Sequence, residues 1–219
     1  MNNFNLTKTL QSQIERYRIA AVELLFNDLP EDQRGRAMTI LDSNDGFQIV
    51  DGYSVGRCVC KRRRNPLATS TVARCVATHW FCRATTIKRT LLLKQEVKRY
   101  FPNLFRSGLP AGYYVDANAD KPVLGLLRAD VHLTPVSRIW QRSTKVIEKH
   151  QRQPEFRKLI ASNQFEITWL VPTESKANAI RLLANKQQYS SSPVDAHAVS
   201  SLLDQLVSLP TTFPDVAGL

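Results

Sequence analysis

Two aspartates follow apolar runs within residues 108–132, GLPAGYYVDANADKPVLGLLRADVH. Asp116 comes after Tyr113–Val115, and Asp130 comes shortly after Val123–Leu127. Carboxylates that close neighbouring strands hold Mg²⁺ in many metal-dependent nucleases. The pair therefore predicts either a nuclease or a nuclease-shaped domain that only binds.

The residues around Asp130 do not complete a nuclease site of the restriction-endonuclease type. Such a site needs an acid-x-Lys triplet on the second strand, in which the lysine positions or activates a water. If Arg128 takes the acid position, a carboxylate has become a cation. If Asp130 takes it, His132 stands where the lysine is needed. We predict no catalytic residue, with a Mg²⁺-dependent nuclease using Asp116 and Asp130 as the alternative. An ion pair of Arg128 with Asp130 or Asp116 would be a structural use of these residues.

Four cysteines and a histidine raise the question of zinc. Cys58 and Cys60 are two positions apart, whereas Cys75, His79 and Cys82 follow at helical spacing. Paired zinc cysteines usually have a wider spacing than Cys58 and Cys60, and both groups fall on faces expected to be buried. We predict reduced core thiols, no bound metal and no cofactor. The nucleotide-binding and hydrolase motifs that carry glycine-rich loops or paired histidines are also missing.

The charge of the chain is strongly positive and unevenly distributed. Its 219 residues hold 30 Lys and Arg against 19 Asp and Glu, a formal net charge of +11. Residues 57–100 hold twelve of the basic residues and a single acidic one, Glu96. Such a surplus favours a polyanionic partner, with nucleic acid as the first expectation. No apolar run approaches the length of a membrane span and no signal peptide is evident, so we expect a cytoplasmic protein.

The first 66 residues have the element order of a winged helix-turn-helix. Helical spacing over 7–28, with a break near Tyr17-Arg18, is followed by a third helix from Pro30 to about Leu41. Strand patterns at 47–50 and 54–61 flank the turn signal Asp51-Gly52. In such a module the third helix enters the major groove and the wing contacts DNA. The predicted DNA-binding residues of this module are Arg34, Arg36, Arg57, Lys61, Arg62, Arg63 and Arg64.

A second basic feature lies on a long helix predicted over 136–151. Its cations recur at steps of four, three, four and three residues, which keeps them on one helix face. An ordinary amphipathic surface helix explains this pattern as well as a phosphate-binding stripe does. In the second interpretation the cations add affinity for DNA without reading its sequence. The five cations are Arg138, Arg142, Lys145, Lys149 and Arg152.

Residues 67–188 predict a small three-layer α/β domain. Helices are expected over 68–84, 90–101, 136–151, 154–162 and 173–187, and strands over 113–116, 123–129 and 165–171. Residues 189–219 predict a linker and a docking helix over 194–208, because Ser192 and Pro193 suit a helix start. The apolar stripe of that helix would be Leu202, Leu203, Leu206 and Leu209.

Several short segments resemble the replication-relaxation or mobilisation-accessory family of plasmids and integrative elements. They are STVARCVATHWFC, TLLLKQEVKRYFPNL, GLPAGYYVD, LGLLRADV and PEFRKLIASNQFEITWLVPTESKA, and the likeness covers roughly residues 8–187. The resemblance implies an N-terminal winged helix followed by a degenerate restriction-endonuclease-like domain, α/β in class and α+β overall. This chain has Arg128 where one form of the family has an acid.

The resemblance and the charge together predict a non-catalytic protein that binds double-stranded DNA. It would support mobilisation or replication of a bacterial mobile element, as an accessory to a relaxase, or regulate transcription at a promoter. We expect it at the nucleoid or plasmid, with a relaxase or a second copy of the chain as protein partner and without a membrane. The alternative to direct DNA binding is an adaptor whose helix 194–208 recruits a relaxase.

Overall fold

A computed structural model of the chain describes most of its residues. The described ranges are 3–27, 29–51, 56–62, 68–83, 89–102, 112–117, 121–130, 134–186 and 193–199. They form eight helices and two β-sheets, a mixed α/β architecture. None of the helices in these ranges is long and apolar enough to cross a membrane.

The chain divides into two compact units. Of the described residues, those from 3 to 80 belong to unit 1 and those from 81 to 199 belong to unit 2. The sequence predicts a boundary between residues 66 and 67, whereas the two units meet between Trp80 and Phe81, inside the helix Thr69–Arg83.

Unit 1 builds three helices and a small antiparallel sheet before that helix. Its sheet has the order β1-β3-β2, so that the last strand lies between the other two. The elements in chain order are α1 (Asn3–Tyr17), β1 (Ile19–Ala21), α2 (Val22–Asn27), α3 (Glu31–Ser43), β2 (Phe47–Asp51), β3 (Arg57–Lys61) and α4 (Thr69–Arg83).

Helix α1 forms because its apolar residues recur every fourth position. Leu6, Leu10 and Ile14 are all buried on one face. The helix ends where Arg18 adopts a left-handed backbone, with φ of 65°, and its amide donates to the carbonyl of Ile14 at 2.8 Å. The predicted break near Tyr17-Arg18 is confirmed, and the short strand β1 that follows it was not predicted.

Unit 2 is organised around a five-stranded sheet of order β4-β5-β6-β7-β8. The pairs β4–β5 and β5–β6 are antiparallel, and the pairs β6–β7 and β7–β8 are parallel. Its elements are β4 (Arg89–Leu91), α5 (Lys94–Tyr100), β5 (Tyr113–Asp116), β6 (Val123–Ala129), α6 (Val136–Gln151), α7 (Pro154–Ala161), β7 (Phe165–Val171), α8 (Glu174–Lys186) and β8 (Val194–Ala198).

The main core of unit 2 lies between one face of this sheet and its helices. Leu126 and Ile167 from the central strands share one buried cluster with Ile139 of α6, Phe156 of α7 and Ala177 of α8. Each of the parallel connections β6–β7 and β7–β8 contains a helix, as parallel strands require. The helices α6, α7 and α8 therefore cover the same side of the sheet.

The helix predicted over 194–208 is wrong at its beginning. Residues Val194–Ala198 form strand β8, in which Val194, Ala196 and Ala198 are buried and alternate with half-exposed residues. Residues 202–209, with the predicted leucine stripe, lie outside the described residues. The helix predicted over 90–101 is also wrong at its beginning, because Thr90 and Leu91 belong to strand β4.

Candidate nucleic-acid interface

Helix α6 has an apolar side that fixes its orientation on the sheet. Ile139, Ser143 and His150 are buried, and Val146 and Ile147 pack partly against the core. The Ser143 hydroxyl accepts a hydrogen bond from the Trp169 indole N–H at 2.8 Å, which ties the helix to β7. The opposite side of the helix is thereby turned to solvent.

The predicted cations of α6 occupy that solvent side. All five are exposed, and none of them forms an ion pair with a described acidic side chain. At 1.5 Å per residue the row is roughly 21 Å long, which is the length of about six base pairs at 3.4 Å each. We call Arg138, Arg142, Lys145, Lys149 and Arg152 the α6 stripe.

A buried aromatic cluster holds the C-terminal end of α6. The Tyr113 hydroxyl and His150 Nε2 are hydrogen-bonded at 2.8 Å, and His150 Nδ1 lies 2.6 Å from the Val146 carbonyl oxygen. The His150 ring contacts Phe156 and Phe165, with centroids 4.7 and 4.8 Å apart. Burial lowers the pKa of His150 to about 4, so the imidazole is neutral at physiological pH.

The predicted cations on α3 differ in their accessibility. Arg36 is exposed, whereas Arg34 is half-buried and its Nε donates to the Leu29 carbonyl at 3.4 Å. Glu31 and Asp32 are exposed in the first turn of the same helix. The N-terminal turn of α3 therefore presents acidic as well as basic groups to any ligand.

The predicted hairpin is confirmed, but its basic run lies at the end opposite the turn. Asp51 pairs with Arg57 beside the turn, and Phe47 pairs with Lys61 at the other end. Lys61 lies four positions along the strand from Arg57, a distance of roughly 13 Å. Of the predicted cations, Arg57 therefore lies by the turn, and Lys61 and Arg62 lie beside residues 44–47. Arg63 and Arg64 lie outside the described residues.

Acidic side chains lie near each described cation of the hairpin. Lys61 Nζ is 2.7 Å from Glu15 Oε1, and Arg62 Nη1 is 3.8 Å from Asp45 Oδ1. The Lys61 ammonium lowers the pKa of Glu15. Burial raises the pKa of Glu23, and the nearby positive charge of Arg57 opposes that rise. The pairs of Lys61 and Arg62 are exposed and contribute little to stability, so these two cations can exchange their partners for phosphate at small cost.

The basic surplus at residues 57–100 is divided between the two units, and part of it is buried. Arg57, Lys61, Arg62 and Arg74 belong to unit 1, and the other described cations of the segment belong to unit 2. Arg89 is 8% exposed, its Nε lies 3.2 Å from Asp116 Oδ2, and its guanidinium covers the Phe81 ring. Part of the surplus thus serves the interior of unit 2.

The two aspartates of the nuclease alternative lie at opposite ends of the sheet. Because β5 and β6 are antiparallel, the end of β5 meets the start of β6, and Asp116 pairs with Val123. Asp130 comes seven residues later, roughly 23 Å along the strand. The structure therefore does not bring Asp116 and Asp130 together around one metal ion.

Each of these aspartates has a basic partner from another element. Asp130 Oδ2 lies 2.7 Å from Lys176 Nζ on α8, and Asp130 Oδ1 accepts a hydrogen bond from the Thr134 hydroxyl at 2.7 Å. Asp116 pairs with Arg89. The basic residue predicted as their partner, Arg128, instead lies near Tyr113, and burial lowers its pKa.

The cysteines and His79 are placed as core residues. Cys58, Cys60 and Cys82 are buried and Cys75 is half-buried, and none of the four forms a disulfide. The pKa of Cys58 is raised to about 12 by burial, which keeps the thiol protonated. His79 Nδ1 accepts a hydrogen bond from the Ala21 amide at 3.0 Å, and its ring contacts Tyr17. This amide–imidazole bond joins α4 to β1 inside unit 1.

Comparison with protein-family models, with curated proteins and with solved structures finds no match for this chain. The likeness to the replication-relaxation family thus stays a prediction from short segments.

Two exposed cations on α7 and an exposed aromatic residue on α5 were not predicted as functional residues from the sequence. Arg157 and Lys158 are exposed on α7, and Tyr100 is exposed at the end of α5. A usable signal was present in KRYFP at residues 98–102, where an aromatic pair follows two cations and precedes a helix-stopping proline. An aromatic residue next to cations is typical of nucleic-acid surfaces.

Proposed function

We propose that this chain is a non-catalytic protein that binds double-stranded DNA through the backbone phosphates. The observation that carries the proposal is the α6 stripe, five exposed cations in one row with no acidic partner among the described residues. Like charges held in a row repel one another, and bound phosphates would remove that repulsion. Contacts of this kind position a protein on DNA without reading the sequence.

Unit 1 supplies a second surface in this proposal. Its order of helix, strand, two helices and hairpin supports the assignment as a winged helix-turn-helix, with α3 as the helix for the major groove. Arg36 is then the exposed α3 cation available to DNA, and Arg57 is the cation beside the wing turn. Lys61 and Arg62 would reach phosphates on the flank of the module.

Unit 2 would be the degenerate endonuclease-like domain. The separation of Asp116 from Asp130 and their ion pairs with Arg89 and Lys176 support a scaffold role for both carboxylates. We propose that the protein acts at an origin of transfer or replication of a bacterial mobile element, with a relaxase as partner. Regulation of a promoter is the other role open to the same DNA-binding surfaces.

The stripe is tested by the salt dependence of binding to a random 30-base-pair duplex. Replacing both Lys145 and Lys149 by alanine removes two phosphate contacts, so the slope of log affinity against log salt should flatten by about 1.8. Fluorescence anisotropy over a series of NaCl concentrations measures this slope.

A matched variant controls for the loss of net charge. Lys121 and Lys186 are also exposed lysines of unit 2, and replacing both by alanine changes the total charge equally. That variant should keep the wild-type slope. Equal slopes for the two double variants would show that the stripe is only a solvated helix face.

A further inference from the structure

Tyr100 is an exposed aromatic residue in a strongly basic neighbourhood. It is 63% exposed, and among the described residues only Leu182, at 60%, is an equally exposed large apolar side chain. Tyr100 ends α5 directly after Lys98 and Arg99, both of which are exposed. An exposed ring flanked by cations has the chemistry of a surface that stacks on a nucleobase while holding its phosphates.

The packing of α5 turns Tyr100 outward. Val97 is buried in the core of unit 2, and Phe101, four positions later, lies with its ring 5.4 Å from that of Phe156 on α7. The Phe101 amide also donates to the Val97 carbonyl at 2.8 Å, which closes the last turn. Residues at positions 97 and 101 thus occupy the inner side of the helix, and the side chain of Tyr100 is left on the outer side.

The same contacts bring the end of α5 toward the last turn of α6. Phe156 contacts both Phe101 and His150, so α5, α7 and the last turn of α6 meet at one aromatic cluster. Arg157 Nε donates to the Gln151 carbonyl at 3.2 Å, which fixes α7 against that turn. Four exposed cations lie close in sequence to the residues of this cluster: Lys149 lies in the last turn of α6 and Arg152 directly follows it, and Arg157 and Lys158 directly follow Phe156 on α7.

We propose that Tyr100 stacks on an unpaired base of DNA whose phosphates follow the α6 stripe, an inference that rests on the proposed function. Inside a duplex the faces of each base are covered by its neighbours, and exposing one costs a few kcal/mol. A ring on the surface therefore gains little from intact duplex and much from a base that is already unpaired. The preferred DNA ligand of unit 2 is a duplex with an adjoining single strand, and Tyr100 marks the side where the single strand leaves.

The experiment compares two DNA molecules with the full-length protein at one salt concentration. One is a blunt 20-base-pair duplex, and the other is the same duplex with a ten-nucleotide single-stranded extension. Wild type should bind the extended duplex more tightly. Tyr100→Ala should lose roughly 5- to 150-fold of affinity for the extended duplex, the range for one stacked base, and little for the blunt one. Tyr100→Phe keeps the ring and should behave as wild type.

Leu182→Ala is the matched control, since it removes the other exposed large apolar side chain and should change neither affinity. If Tyr100→Ala leaves the preference for the extended duplex intact, the stacking proposal fails while DNA binding by the stripe stands. If Tyr100→Ala weakens both molecules equally, the residue is a general contact and the proposal also fails. If wild type binds neither molecule, the proposed function fails together with this inference.

Discussion

Tyr114 and Gly125 show how one residue choice shapes the sheet of unit 2. They are opposite each other on β5 and β6, and the Tyr114 ring occupies the space above Gly125. The Tyr114 hydroxyl donates to Glu166 and is 2.7 Å from the Thr168 hydroxyl, both on β7. Burial, and then the negative charge of Glu166, raise the pKa of Tyr114, so it stays a neutral donor. A phenol lying across a glycine thus links three strands.

Replacing Gly125 by alanine should destabilise the protein. The added Cβ would stand 2.0 Å from Tyr114 Cζ, so the buried ring must move and its bonds to β7 are disturbed. We expect a loss of about 1–3 kcal/mol in the free energy of unfolding, measured by urea denaturation. Gly35→Ala is the control, because nothing lies within 4 Å of a Cβ there and alanine in a helix should add up to about 1 kcal/mol. Equal stability of Gly125→Ala and wild type would contradict this packing.

His150 should make the protein less stable in acid. Its folded pKa of about 4 lies below the unfolded value of 6.5, so the unfolded chain takes up the proton first. The free energy of unfolding should therefore fall as the pH drops from about 6.5 to 4, by roughly 2–3 kcal/mol from this residue, and level off below. His150→Gln should lose this part of the pH dependence in urea titrations at pH 7, 5.5 and 4.5. A parallel decline in wild type and variant would assign the acid sensitivity to other groups.

At the scale of elements, the sequence predicts correctly the helices and strands in which the spacing of apolar residues matches the buried face of the element. Strands 113–116, 123–129 and 165–171 and helix 136–151 match the observed bounds. β8 was missed because Ser192 and Pro193 imitate a helix start, although the alternation of apolar and polar residues from Val194 to Ala198 has the strand period. The residues typical of a helix start therefore led to a helix prediction. The strand pattern is only five residues long, and the segment is held as a strand by its pairing with β7.

The nuclease alternative, in which Asp116 and Asp130 would meet, conflicts with the connection between their strands. Only six residues, 117–122, connect β5 to β6, which is too short for the crossover that parallel strands need. An antiparallel pair sends its two carboxyl ends to opposite edges of the sheet. The length of this connection alone therefore predicts that Asp116 and Asp130 lie apart. The partners Arg89 and Lys176 could not be predicted, because they come from elements distant in the chain.

The strand β8 can be tested by placing a charge on its inner side. Ala196 is fully buried in the main core of unit 2, so Ala196→Glu would force a carboxylate into that core or displace the strand. We expect a loss of at least about 3 kcal/mol in the free energy of unfolding, or an insoluble protein. Ser175→Glu, an exposed position near the start of α8, should change it by less than about 0.5 kcal/mol. Tolerance of Ala196→Glu would instead fit an exposed helix at this position.

At the scale of the whole molecule, positive charge is divided between two compact units. Unit 1 carries its described hairpin cations beside acidic partners, and unit 2 carries the α6 stripe without them. A net charge of +11 over 219 residues attracts any polyanion, so charge alone does not say which unit would bind DNA in the proposed function. Binding measured on variants of each unit separates the two contributions.

If both units hold one DNA molecule, their contributions should add. On a random 30-base-pair duplex, Lys61→Ala with Arg62→Ala should flatten the salt slope by up to about 1.8, as should Lys145→Ala with Lys149→Ala. The four substitutions together should flatten it by up to about 3.6, because residues in separate units share no partners and their free energies add. If Lys61→Ala with Arg62→Ala leaves the slope unchanged, these residues of unit 1 do not contribute to DNA binding and the α6 stripe of unit 2 remains as the binding surface. If the four substitutions together flatten the slope no more than one pair does, the two surfaces do not contact DNA at the same time, because simultaneous contacts must each release their own counterions.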